Sequence, residues 1–495
     1  MSNTNNMSNT NNMSNTLLKK ADDSKDGGKD GGKWRKRWRK RWRKRCRKRC
    51  RKDVVKGDTK DDCESLKCCN IFMNRKSIML KVGLTAYFFT QNYVQFKFNC
   101  YFCNLIAKIE SKMILLFRLN NIFSFRDETT LDLQAAKIQT EKGKALSRNM
   151  FPAAGGQVLK SVSVFGANAS GKSNVIKGIK ACVDMIRTSH TYNENTIFAV
   201  APFKFDGYDK NPSSFFVRFI IDGIEYEYSF SMTRTEILTE QLFYYPKGRR
   251  SLVFSRNESK GPDKKNIYEF KHAIKRPMDV AANTSRKTLF ISRASQMDRD
   301  IAKRVFRFFS EDVVLDYKES AMPIDNFMKT RKEQILEILN TADSDIVDIR
   351  IQGNALKTFH RGNPDIAFDF DTEESEGTKT LFLMMLSMID IIRNGRTLLI
   401  DEIDTSLHPH LVEYIINLFN NSDNAQLIYT THNTHLLNTD FQRRDQVYFV
   451  NKREDGCSDL YSLYDFKDFR DTFDMEKAYL QGRFDAVPNL SKPNL

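Results

Sequence analysis

Gly166-Ala167-Asn168-Ala169-Ser170-Gly171-Lys172-Ser173 follows the strand-like run Val162-Ser163-Val164-Phe165 and reads G-x-x-x-x-G-K-S. Two glycines let the backbone curl so that successive N–H groups converge on phosphate oxygens. At this spacing Lys172 reaches the terminal phosphates of a nucleotide and Ser173 can place its hydroxyl on Mg²⁺. The helix expected from about Asn174 directs its positive end at the same anion. A plain Gly-rich turn has no need of Lys-Ser after its second glycine, so these residues read as a phosphate cradle.

Phosphoryl chemistry also needs acids, and Thr397-Leu398-Leu399-Ile400-Asp401-Glu402 is an apolar strand ending in two of them. Asp401 would hold Mg²⁺ and Glu402 would polarise the attacking water. Taken alone, that ending also describes a strand with two surface acids; downstream of a phosphate loop it points to chemistry. Gln426 to His432 is a second apolar strand, and its terminal His432 is placed to sense a γ-phosphate and position water. Ser375-Glu376-Gly377-Thr378-Lys379 precedes a nearly all-apolar helix over 381–392, whose start offers unpaired N–H groups and a hydroxyl. His408 and His410 flank Pro409 at a helix start; capping or interface roles suit them better than a metal pair.

These groups need a frame. Residues 114–125 read as one or two strands and 129–133 as a partner strand. After Ser173, Val175, Ile176, Ile179, Val183 and Ile186 recur at helical spacing, which makes Cys182 beside them a core residue rather than a reactive one. Phe215 to Ile220, the turn Asp222-Gly223, and Ile224 to Met232 predict a hairpin, because Asp-Gly suits a turn with positive φ. Strands are also expected at 242–245 and 252–254, and helices at 298–310 and 323–339, neither with heptads long enough for a coiled coil.

Composition divides the chain near residue 112. Residues 1–112 hold 28 Lys and Arg against 10 Asp and Glu, whereas 113–495 hold 51 against 52. The first 52 residues are tandem repeats: Ser-Asn-Thr-Asn-Asn-Met, then Asp-Gly-Gly-Lys, then Trp-Arg-Lys-Arg, in which Trp34, Trp38 and Trp42 give way to Cys46 and Cys50. Such a tract cannot pack a core. One reading is a basic arm that binds phosphate backbones and stacks on bases. The other is a start codon set too far upstream, followed by translated intergenic sequence through about Lys112; the Trp-to-Cys drift favours it, since the codons differ by one base while the side chains share little chemistry. Cys68-Cys69 and Cys100/Cys103 lack a second pair at zinc spacing. No signal peptide or bilayer span is legible, and the two remaining Cys, 182 and 457, fit a reduced, cytoplasmic protein.

The order of phosphate loop, Ser-x-Gly helix start, Asp-Glu strand and His strand resembles the ATP-binding-cassette-type ATPase heads of the RecF, SMC and overcoming-lysogenization-defect group. It is most similar to compact bacterial AAA-type ATPases associated with abortive phage infection. The resemblance runs from about Met113 to Leu490, through the opening Leu-Asn-Asn-Ile-Phe-Ser-Phe, Asp401-Glu-Ile-Asp-Thr-Ser-Leu-His-Pro409, Thr431-His432-Asn433 and the closing Tyr479–Pro488. It implies an α/β P-loop NTPase: an ABC-ATPase-like head with a mixed central sheet, an antiparallel β subdomain and a small helical insertion. The expected division is a tail over 1–112, an N-terminal lobe over 113–200, a hairpin and helical subdomain over 201–370, and a segment over 371–495 with signature, acids and His432.

The resemblance further implies a head-to-tail homodimer sandwiching two ATP molecules with Mg²⁺. Gly166 to Ser173 and Asn174 of one subunit would face Ser375 and Gly377 of the other, Ser173 and Asp401 would serve the metal, and Glu402, His432 and Lys172 would act on the phosphates. Thr405 to His408 would occupy the D-loop place, where many relatives have Asp at the position of His408. The Q-loop is not identifiable, and residues 202–205 are its nearest counterpart. The implied role is ATP hydrolysis controlling a nucleic-acid-directed effector in phage defence. The partners are a separately encoded effector or nuclease and DNA or RNA, with no membrane. Two alternatives stand beside it: a RecF-like DNA-binding repair ATPase, and a nucleic-acid-binding protein acting through the basic N-terminal arm. Long arms are not expected, nor is a fused nuclease, since only about 60 residues follow His432. Asn451-Lys452-Arg-Glu-Asp misses the guanine-selecting spacing, which favours ATP.

Overall fold

Lys112–Asn120 forms β1 and Thr129–Asp132 forms β2, paired antiparallel as their apolar runs predict. The computed structural model describes residues 112–488 apart from 154–155, 319–323, 343–344, 354 and 469–472. The N-terminal repeats and the cysteines up to Cys103, with the readings attached to them, lie outside the described residues. Met150–Ala153 (β3) and Gly156–Leu159 (β4) make a short hairpin, after which Ser161–Gly166 (β5) leads into the helix Lys172–Thr188 (α1). An antiparallel meander follows: Ser213–Ile221 (β6), Ile224–Met232 (β7), Ile237–Tyr244 (β8), Ser251–Asn257 (β9) and Tyr268–Phe270 (β10). With β1 and β2 it forms one seven-stranded sheet in the order β10-β9-β8-β7-β6-β1-β2, which draws strands from both sides of residue 200. The hairpin turn is as expected, with Asp222 at φ 52° and Gly223 at φ 72°.

Helices Phe290–Gln296 (α2) and Asp300–Arg307 (α3) continue through a π-helical turn, Phe308–Asp312, to the short strand Val313–Val314 (β11). Ile324–Ala342 (α4) then precedes a three-stranded antiparallel sheet of Ile346–Gln352 (β12), Ala355–His360 (β13) and Asn363–Asp369 (β14). The last part of the chain runs through Glu376–Arg393 (α5), Thr397–Ile400 (β15), Pro409–Asn420 (α6), Gln426–Thr430 (β16), Val447–Lys452 (β17), Ser458–Ser462 (β18) and Met475–Leu480 (α7).

Six of these strands make the central sheet, ordered β11-β15-β16-β5-β17-β18 and parallel except for the antiparallel edge strand β18. Side chains along a strand alternate between faces, and here the alternation sorts residues between two cores. Val162, Val164, Leu399, Ile428 and Val450 join α1 and the seven-stranded sheet, whereas Phe165, Leu398, Ile400, Leu427, Tyr429 and Phe449 join α5 and α6. Cys182 is fully buried in the first of these, as its position among the α1 apolar residues requires.

Gln426 stitches the two sheets together. At the β1 bulge between Ile114 and Leu116, Ile114 N donates to Gln426 Oε1 (2.7 Å) and Gln426 Nε2 donates to Ile114 O (3.0 Å) and to Leu159 O (3.2 Å). A backbone that leaves its ladder at a bulge still needs partners when buried, and a buried side-chain amide supplies both a donor and an acceptor.

Boundaries differ from expectation in three places that matter for the site. α1 begins at Lys172, two residues earlier than expected; α5 begins at Glu376 rather than 381; and β15 stops at Ile400, leaving Asp401 and Glu402 just beyond the strand. Among the described residues no helix is long and apolar enough to cross a membrane.

Candidate functional site

β5 ends on Gly166, and a β-carbon there would collide with Val450 O on the neighbouring β17. Gly171 sits at φ 117° as the N-cap of α1, and a β-carbon would lie 2.5 Å from Ser458 Oγ and 2.8 Å from Ser124 Oγ. Both glycines are therefore demanded by close approach, and at Gly171 by backbone conformation as well. The loop rests on a small polar pad: Ser458 Oγ donates to Ser170 O (2.6 Å), Ser458 N donates to Ser124 O (2.7 Å), and Asn174 Nδ2 donates to Ser124 Oγ (2.9 Å). Asn174 thus holds the loop from behind. Ser458 carried no signal in the sequence; Ser124 lay inside the opening Asn-Asn-Ile-Phe-Ser-Phe but had no assigned task.

Lys172 is buried, and its Nζ donates to Gly166 O and Ala167 O at 2.9 Å each. Burial lowers its pKa, opposed by the charges of Glu402, Asp401 and Asp404. The structure thus brings the loop lysine and the acids into one electrostatic neighbourhood. Two neutral carbonyls leave the ammonium's charge unmatched at short range, which is the condition of a group that takes an anion. Ser170 Oγ is buried without a hydrogen-bond partner among the described residues, and Ser173 is half-buried in the first turn of α1. Ala167 is half-buried, while Asn168 and Ala169 are exposed at the loop tip, Ala169 at φ 59°.

The parallel pairing of Ile400 with Tyr429 brings the end of β16 beside Asp401 and Glu402. There the buried Thr430 hydroxyl accepts from Glu402 N (2.7 Å) and donates to Asp401 Oδ1 (2.6 Å). Glu402 adopts the left-handed conformation, φ 54°, which costs about 1 kcal/mol or more for a residue with a β-carbon. Its side chain is exposed, and both acids border a cavity of about 400 Å³ shared with Tyr317, Thr380, Met384 and Ser406. Asp404 reaches across to the other strand end, accepting from His432 N at 3.2 Å. His432 itself is exposed. Thr430 and Asp404 position the expected site residues, and neither was singled out in the sequence.

Ser375 is the N-cap of α5, accepting from Thr378 N (3.1 Å). Gly377 packs that helix start against the loop after Glu402: a β-carbon there would lie 3.2 Å from Ser406 O. His408 caps α6, its Nδ1 accepting from His410 N (3.3 Å), which fits the capping role expected of this pair. Among the described residues no cluster of His, Cys, Asp and Glu is arranged to hold a metal unaided. In the segment weighed as a Q-loop, Phe203 N donates to Asn121 Oδ1 (3.1 Å) and the exposed Phe205 lies against Gly456.

Solved structures similar to the chain include the SMC head domain from Thermotoga maritima, 15% identical, covering 70% of this chain and 98% of that one with a TM-score of 0.36. Another is an SmcHead bound to the C-winged helix domain of ScpA, 15% identical, covering 74% and 99% with a TM-score of 0.35. No curated protein matches the chain in sequence. The family described as "AAA domain, putative AbiEii toxin, Type IV TA system" matches residues 161–438. That stretch is more than half of the chain and takes in the phosphate loop, the paired acids and both strand ends that hold them, so the protein belongs to this AAA-domain family.

Proposed function

We propose that the chain binds ATP at the Gly166–Ser173 loop and hydrolyses it as a head-to-tail homodimer, in the cytoplasm, to control a separately encoded nucleic-acid-directed effector in phage defence. The observation that carries the ATPase reading is the Thr430-tied pair of Asp401 and Glu402 beside a buried Lys172 whose hydrogen bonds among the described residues go to loop carbonyls. The family description, with its toxin of abortive-infection type, supports the defence role.

Ser173 and Asp401 offer the oxygen ligands that Mg²⁺ takes, and the ion would supply neutralisation of phosphate charge. The chain's own groups divide the remaining work. Lys172 and the N–H groups at the start of α1 bind and orient the phosphates. Glu402, exposed at the cavity edge, is the group able to take a proton from water, and Asp404 fixes the backbone from which His432 projects. Ser375 and Gly377 stand at a helix start next to the 405–408 loop, in keeping with a surface offered to a second subunit.

Glu402→Gln keeps the shape of the side chain but cannot draw the proton, so turnover should fall by about 10² or more while ATP binding and closure persist. In size-exclusion or sedimentation runs the variant should shift to a dimer with ATP. Adding Ser375→Arg, a bulky cation at the helix start, should return it to a monomer that still binds nucleotide. A Glu402→Gln protein that stays monomeric at saturating ATP, or dimerises equally without it, removes the sandwich from consideration.

A further inference from the structure

Outside its N-terminal tract the chain is close to neutral, but this neutrality balances two opposed regions. Residues 246–307 hold 17 Lys and Arg against 6 Asp and Glu, while the remainder of 113–495 holds 34 against 46. The basic stretch comprises the β8–β9 turn, edge strand β10 and the helices through α3.

Strand register gathers much of this charge at one corner. Phe270 pairs with Phe254 and Lys271 N donates to Val253 O (3.1 Å), so the chain leaving β10 runs toward the start of β9, where the 245–250 turn lies. Lys275 and Arg276 follow four and five residues later, on the turn that leads into the short helix Pro277–Ala282. An ion pair between Arg299 and Asp279 fastens the start of α3 just behind Arg276, and Arg304 on α3 lies 3.5 Å from the hydroxyl of Tyr226, the partner of Tyr244 beside the turn.

The acids of this corner are already answered. Arg218 pairs with Glu225, Arg250 with Glu227 (2.7 Å), Lys271 with Glu269 (2.8 Å), and Asp222 acts on Arg304. Lys247, Arg249, Lys275 and Arg276 are exposed and have no ion-pair partner among the described residues. Lys247, Arg249 and Lys275, with Arg276 beside an Asp279 that already pairs with Arg299, put exposed positive charge on the turns of a packed sheet edge and match a polymer of phosphates. A lipid surface would ask for an apolar flank, yet Met278 is the one large apolar side chain exposed in the segment.

We propose that this corner of the seven-stranded sheet binds the phosphate backbone of a nucleic acid. The surface shares no residue with the nucleotide loop, so its test does not depend on turnover. The full-length protein should be titrated with a fluorescent duplex DNA of about 30 base pairs, and with a single-stranded RNA of the same sequence, between about 50 and about 200 mM salt. The N-terminal basic tract is common to all proteins compared, so differences report the corner. Combining Lys247→Glu, Arg249→Glu, Lys275→Glu and Arg276→Glu should weaken binding by about 10-fold or more and lower the slope of log K on log salt by about 3 to 4. The milder pair Lys247→Ser and Arg249→Ser should give about half that slope change, with nucleotide binding unchanged in both variants as the check on folding. DNA and RNA arms tell which backbone is preferred. Unchanged affinity and slope on both nucleic acids would overturn the proposal, as would loss of binding to phosphatidylserine vesicles alone.

Discussion

A hydroxyl has one proton to give and lone pairs with which to receive, and Thr430 uses both in the site: it receives from Glu402 N and gives to Asp401 Oδ1. Thr430→Val conserves shape but deletes both bonds, leaving a half-buried carboxylate and a strained peptide without their tie. We expect turnover to fall by about 10-fold to 100-fold with a raised Mg²⁺ requirement, while nucleotide affinity measured without Mg²⁺ stays unchanged. Thr430→Ser should restore most of the activity. A role confined to packing would show the opposite pattern, with Val harmless and Ser damaging. Nothing in the sequence marks Thr430, because its two partners lie 28 and 29 residues away and only the parallel register of β15 and β16 brings them together. Lys172 and the paired acids were legible because their meaning rests on short-range spacing.

Elements were legible where local chemistry is strong. The α1 stripe and the Asp222-Gly223 hairpin declare themselves through helical periodicity and through a turn that demands positive φ. The β12–β14 sheet is harder to read: Asp348-Ile349-Arg350-Ile351-Gln352 alternates, but a bulge breaks the pattern between Ile346 and Asp348, Ile351 is exposed, and most of β14 is exposed. Equally hidden was the tie between β8 and α2. Glu240, wholly buried, accepts from Phe290 N (2.6 Å), Ile291 N (2.9 Å) and Tyr228 OH (2.8 Å), with Arg256 at 3.8 Å. Burial raises its pKa against the pull of Arg256. Glu240→Ala would strand three donors, although Arg256 keeps Glu258 at 2.7 Å and two carbonyls, and a loss of about 3 to 5 kcal/mol in urea unfolding is expected. Glu240→Gln retains an acceptor and should cost less; equal stability of the alanine variant and wild type would show that the tie contributes nothing.

Across the whole molecule the central sheet serves two cores at once, and the odd and even residues of β5, β15 and β16 belong to different halves of the protein. The phosphate loop leaves β5, the acids leave β15 and His432 follows β16, so the site sits where both cores end. Order along the chain allowed three of the central parallel strands, β5, β15 and β16, to be anticipated, since each is a short apolar run leading to a residue that could do chemistry; β11 and β17 carry no such mark. The seven-stranded sheet was less legible because β1 pairs with β6 across about 100 residues, and the Gln426 stitch joins positions 312 apart. Charge was misleading at this scale for a similar reason: the balanced count over 113–495 conceals a basic corner and an acidic remainder.

Glu402 occupies a backbone conformation that glycine would adopt without cost. On the proposed function, the most stable form of this protein and its most active form are different sequences. Replacing Glu402 with Gly should raise the melting temperature, by an amount corresponding to about 1 kcal/mol, while abolishing turnover. Selection for thermal endurance alone would favour the glycine. A Glu402→Gly protein that melts at or below the wild-type temperature would show that the Thr430 tie, and not function, accounts for the unusual geometry.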